Sequence, residues 1–89
     1  MRWYTDLMLI DTEIIGAIYD ESVRQKEKWG IQTHSSFEWL TYTTEELGEL
    51  AKAIAEYEYR DGTKEDVIKE AIQVATLALK IAEMFKAAG

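Results

Sequence analysis

The chain has no cysteine, no proline and a single histidine among its 89 residues. Without cysteine it can build neither a disulfide framework nor a thiolate metal site. One histidine excludes any multi-histidine site within a single copy. Basic residues are scarce as well: 10 Lys and Arg stand against 17 Asp and Glu, for a net charge of −7. That balance argues against a nucleic-acid polymer as partner, which would need a basic patch. It leaves open a small anionic ligand held through cations that the acids themselves bind. No apolar run approaches the roughly 18 residues of a membrane span, and no charged-then-apolar leader precedes the fold. A soluble cytoplasmic protein without a membrane partner is expected. What is present is apolar material, 47% of the residues, enough for the core of one domain spanning residues 1–89.

With proline absent, glycines punctuate the chain: Gly30, Gly62 and Gly89 at breaks, Gly16 and Gly48 inside periodic segments. A first helix is predicted from Thr12 to about Lys28, with Ile14, Ile15, Ile18, Tyr19 and Val23 at helical spacing and Gly30 as its stop. Residues 3–10 either extend it or form a short separate element. Ser35 and Glu38 have capping-box spacing at the start of a second helix. Its apolar stripe is Phe37, Leu40, Thr44, Leu47, Leu50, Ala51 and Ile54, and it runs to about Arg60. The break at Asp61-Gly62-Thr63 leads to a third helix, capped by Thr63, with Asp66 at the capping-box position, ending near Lys86. The fold class is therefore all-α, an antiparallel bundle of three main helices. From Val67 to Ala82 the third helix has almost no polar face, so burial nearly all round is expected. Two other helices cannot surround it. Completion by oligomerisation follows, as a homodimer or homotetramer, with the many alanines allowing close helix approach.

The stretch TEELGELAKAI at 44–54 places Glu45, Glu46 and Glu49 around Gly48. Like charges at i,i+4 repel by a few tenths of a kcal/mol, and a mid-helix glycine costs about 1 kcal/mol relative to alanine. On the third helix Glu70 and Gln73 repeat the i,i+3 spacing of Glu46 and Glu49, with Asp66 one turn earlier. Antiparallel packing would gather Glu46, Glu49, Glu70 and Gln73 in a small volume that needs cations to be tenable. Hard oxygen ligands of this kind suit Mg²⁺ or Mn²⁺, whose remaining positions stay open to substrate phosphates and water. Gly48 would then remove bulk between the ligands and admit a neighbouring helix or a ligand. The alternative is a solvated glutamate-rich face with weak surface pairs such as Glu49 with Lys52. Glu70 and Gln73 weigh against it because they interrupt an otherwise apolar surface.

The paired motifs, Glu45-Glu46-Leu47-Gly48-Glu49 and Glu70-Ala71-Ile72-Gln73, together with the segment KEKWGIQTH before SSFEWL, resemble the MazG-like, all-α nucleotide pyrophosphohydrolases. The resemblance covers residues 12–85. It departs at Gln73, where the family pattern E-x-x-D has aspartate. It implies a Mg²⁺-dependent enzyme that cleaves nucleoside triphosphates to monophosphate and pyrophosphate, and it implies Glu46, Glu49 and Glu70 as metal ligands. Glu45, the outer member of its pair, would orient a water or another ligand. The Gln73 side-chain oxygen could still ligate, although an amide holds a cation less strongly and cannot act as a carboxylate base.

Around this core, Trp29, Gln32 and His34 are candidates for substrate binding, by stacking on a base and hydrogen bonding to base or phosphate. The competing structural roles are Trp29 as a plug at the helix–loop junction and His34 as a cap of the second helix. Lys28 and Lys80 are candidates for phosphate binding, with Arg24 and Lys26 also flanking the loop. Tyr42 would line the pocket, while Trp3, Tyr4 and Trp39 read as core or interface. Three functions stay open: the pyrophosphohydrolase, a nucleotide- and metal-binding regulatory module with little turnover, and a purely structural helical interaction domain.

Overall fold

The computed structural model describes residues 11–88. The element expected at 3–10, and with it Trp3 and Tyr4, lies outside the described residues. Three helices make up the rest: α1 (Thr12–Trp29), α2 (Ser36–Tyr59) and α3 (Lys64–Ala87). Each end falls within a residue or two of its sequence-based position, because each is fixed by a local device. Asp11 caps α1, its carboxylate accepting from the N–H of Glu13 at 2.7 Å and of Ile14 at 3.4 Å. Gly30 ends it at φ 71°, a left-handed conformation that costs glycine nothing, with its N–H donating to the Lys26 carbonyl. At α2 the capping box is complete: the Glu38 N–H donates to Ser35 Oγ and the Ser35 N–H donates to Glu38 Oε1. At α3, Thr63 Oγ1 accepts from the N–H of Asp66 at 3.2 Å.

Gly62 earns its place by proximity. Its N–H donates to the Glu56 carbonyl, and a Cβ there would lie 2.7 Å from the Glu56 carbonyl carbon and 2.8 Å from the Tyr57 nitrogen. Gly62→Ala is expected to force the α2–α3 turn apart and to destabilise the chain by about 1–3 kcal/mol, read as a lower urea midpoint.

The short turn makes α2 and α3 an antiparallel hairpin, and α1 packs against α3 but not against α2. Thus α3 is the central helix, covered on two sides. Only Thr76 and Leu77 are buried among the described residues, and Thr76 Oγ1 donates to the Ile72 carbonyl one turn back. Elsewhere α3 is open within the chain: Ile68, Leu79 and Phe85 are exposed. No helix among the described residues is long and apolar enough to cross a membrane.

The apolar stripe of α2 is not the face that it turns to its neighbour. The stripe Phe37, Leu40, Thr44, Leu47, Ala51 and Ile54 does not face α3; all six residues are exposed, and of the predicted stripe Leu50 alone is half-buried. Instead α2 turns Trp39, Thr43, Glu46, Leu50 and Ala53 inward. The reason is rotational: the two stripes lie one residue apart, and the inner one carries the helix's contribution to an acidic pair.

Candidate functional site

Glu46 on α2 and Glu70 on α3 meet across the hairpin. Each is half-buried, and each has one carboxylate oxygen, Oε2, withdrawn from solvent with no hydrogen-bond partner. Two acceptors that face one another can bond only by sharing a proton or by sharing a cation. Burial raises the Glu46 carboxyl above its ordinary value, and the adjacent Glu70 carboxyl, with which it could share a proton, then the charges of Glu49 and Glu45, push the same way.

Two cavities open beside this pair. One, of about 290 Å³, is lined by Trp39, Tyr42, Glu45 and Glu46 of α2, by Gln73 of α3, and by Trp29 and Gln32 at and after the end of α1. Its floor includes the buried Leu77, and its third wall comes from α1 through Glu21, Arg24 and Gln25. The second cavity, of about 280 Å³, takes Glu49, Glu56, Asp66 and Glu70, with Lys52 among them. The four expected ligands are thus divided. Glu46 and Glu70 meet, Gln73 shares a cavity with Glu46, and Glu49 shares the other with Glu70. Among the described residues no three acidic or histidine side chains converge closely enough to hold a metal ion. The donors are nonetheless hard oxygens, and two of them are buried without partners, which fits a hard divalent cation in kind.

The outer candidates separate as well. Trp29 and Gln32 line the first cavity. Trp29 is half exposed, with Lys28 Nζ 4.7 Å and Arg24 5.9 Å from its ring centre, so its face is cation-rich. Lys28 belongs to this stack and does not line the cavity. His34 packs edge-on against Trp39 at 5.0 Å and Tyr42 at 5.2 Å, outside the cavity lining, with Nδ1 3.9 Å from Glu38. The cap of α2 is Ser35 rather than His34. Lys80 is turned to α1, donating to Ser22 Oγ at 2.9 Å, and does not reach the acidic cavity. Gly48 meets no neighbouring helix: a Cβ there would have nothing within 4 Å.

Glu21 and Gln25 were not legible as site residues. Arg24 donates to Glu21 through Nε at 2.9 Å and Nη2 at 2.7 Å, and Gln25 Nε2 donates to the same carboxylate. The Arg24 hydrogen bond is the main reason the Glu21 carboxyl stays below its ordinary range, against partial burial. The i, i+3, i+4 spacing of the three residues was the available signal, and only the seating of α1 turns it toward the cavity.

Compared with protein-family models, curated proteins and solved structures, the chain matches none.

Proposed function

We propose that the chain is a Mg²⁺-dependent nucleotide pyrophosphohydrolase, converting (d)NTPs to (d)NMPs and pyrophosphate and clearing non-standard nucleotides, as a cytoplasmic homodimer or homotetramer. The observation that supports this most is the facing pair of unpartnered, buried carboxylate oxygens on Glu46 and Glu70, next to a cavity walled by tryptophan. Mg²⁺ or Mn²⁺, when bound, would supply neutralisation of the phosphate charge, which carries most of the catalysis in phosphoanhydride hydrolysis. Glu46 and Glu70 would hold it, with Glu49 and the Gln73 oxygen drawn in from the flanking cavities. Glu45, at the mouth of the first cavity, would orient the attacking water and accept its proton. Trp29 offers a stacking face for the base, and Gln32 a hydrogen-bond donor. Incubation of the purified chain with a nucleotide panel and Mg²⁺ is expected to release pyrophosphate from at least one member; silence across the panel would reject the activity.

A second reading is a nucleotide-binding module with little turnover. It is favoured by the incomplete convergence of the acids and by an amide at Gln73. The two readings part on Gln73→Asp. A carboxylate there should tighten Mg²⁺ by about 10–100-fold, the range seen when groups supporting a metal are altered. In a binding module that gain would switch on hydrolysis from a near-zero level, whereas an efficient wild type would already turn over without it.

A further inference from the structure

We infer that a second copy of this chain docks on the outer stripe of α2, antiparallel and about a two-fold axis. The inference rests on the assembly part of the proposal above and is independent of its chemistry. Phe37, Leu40, Thr44, Leu47, Ala51 and Ile54 recur every three and four residues over nearly five turns, the spacing of a helix–helix seam. All six are exposed; Phe37 is 78% and Leu47 53% accessible. In a chain with 30% charged residues, none of the six is charged. The acids of α2 that form the candidate site, Glu45, Glu46 and Glu49, lie on its other sides.

The occupant follows from charge and from side-chain size. Two copies of net charge −7 repel over most of their surfaces, and an uncharged seam is where they can meet. The stripe is also complementary to itself in one direction. Run antiparallel, Leu40 stands opposite the partner copy's equivalent of position 51 and Thr44 opposite 47, so that large residues fill the gaps left by small ones, while Phe37 meets position 54 at either end of the seam. Run parallel, small would face small at 44 and at 51, leaving voids. An isologous contact of this sort closes on itself as a dimer. Because α2 and α3 are antiparallel, the exposed Ala71, Ala78 and Ala82 of α3 emerge on the same side of the hairpin and widen the face.

The test uses the full chain without nucleotide or metal. Sedimentation equilibrium at micromolar concentration is expected to give twice the chain mass of 10.3 kDa. Leu47→Glu should halve that mass while leaving far-UV helicity intact, since Leu47 is exposed and faces away from α3. The chain has no cysteine, so Phe37→Cys and Ile54→Cys give single thiols. Mixed and mildly oxidised, they should form a disulfide-linked pair. Each alone should remain unlinked, because like positions would then lie about 25 Å apart along the seam, beyond disulfide reach. A monomeric wild type, a dimer that survives Leu47→Glu, or self-linking of each thiol variant alone would overturn the inference. A monomer would leave the hydrolase proposal standing, and a silent nucleotide panel would leave the interface standing, so the two failures are distinct.

Discussion

Replacing Glu46 by glutamine is expected to make the metal-free protein more stable at neutral pH and to remove its response to Mg²⁺. The wild-type carboxyl faces Glu70 with an unpartnered buried oxygen on each side. A glutamine amide in that place donates a hydrogen bond to the Glu70 carboxylate, and such a bond to a charged group contributes about 1.5–3 kcal/mol. For a domain of this size each kcal/mol moves the melting temperature by about 4–8 °C, so the rise is readily measured by calorimetry. The pH dependence has a definite sign. Burial and the Glu70 carboxyl raise the Glu46 pKa in the fold above its ordinary 4.5, so the folded state holds a proton that the unfolded chain has already released. Stability therefore falls as pH climbs from about 4.5 through the raised value, and the deficit persists above it. Glu46→Gln should flatten that fall. Mg²⁺ should restore stability to the wild type by occupying the pair, and should leave the variant's melting temperature unchanged. A variant that melts lower than wild type at pH 7, with the same Mg²⁺ increment, would mean the pair is neither strained nor a cation site. Alongside, pyrophosphate release should drop by about 100-fold or more, in line with the loss of a group acting directly on the reaction.

How much of this was readable beforehand depends on the range of the interaction. Asp11, Gly30, Ser35 with Glu38, and Thr63 act on their own helix ends within four residues, so the helix bounds were legible from spacing alone. The meeting of Glu46 with Glu70 was legible too, since an antiparallel hairpin with a short turn leaves few registers. What was not legible was the rotation of α2. Its strongest apolar stripe was plain in the sequence, but apolar periodicity marks a surface that must be covered and does not say by what. Within this chain the face against α3 carries Thr43 and Glu46, and the more apolar stripe is left outside. Lys80 shares the face of α3 that carries Gln73, two turns on, but its ammonium is engaged by Ser22 of α1 and not by the acidic cavity, a long-range contact that spacing does not show. Glu21 and Arg24 enter the site only because α1 crosses α3 at that height. Such a long-range fact leaves no mark on local spacing.

Leu77→Ala is expected to have the largest effect on the fold. Leu77 and Thr76 are the only buried residues among those described, and Leu77 sits at the level where α1 and α2 both close on α3. Truncating a buried leucine costs about 2–5 kcal/mol, the higher values applying where the surroundings cannot collapse into the space. Here the neighbours include the α1 and α2 walls of the acidic cavity; α1 is tied to α3 through Lys80 and Ser22 and α2 through the short hairpin turn, so the two cannot both move in. A domain this small has a total stability at the low end of the usual 5–15 kcal/mol. The loss should lower the melting temperature by 10 °C or more, and the thermal transition should broaden as cooperativity weakens. Thr76→Val separates packing from polarity at the neighbouring position. It keeps the shape and gives up the hydroxyl bond to the Ile72 carbonyl, a change of about 1 kcal/mol or less. If Leu77→Ala costs no more than Thr76→Val, the α1–α3–α2 junction is not the core of the domain, and stability must reside in the hairpin alone. The cavity gives an independent readout: Leu77 forms part of its floor beside Glu46 and Gln73, so the same substitution should deepen it and loosen nucleotide binding, measured by titration at a temperature where the variant is still folded.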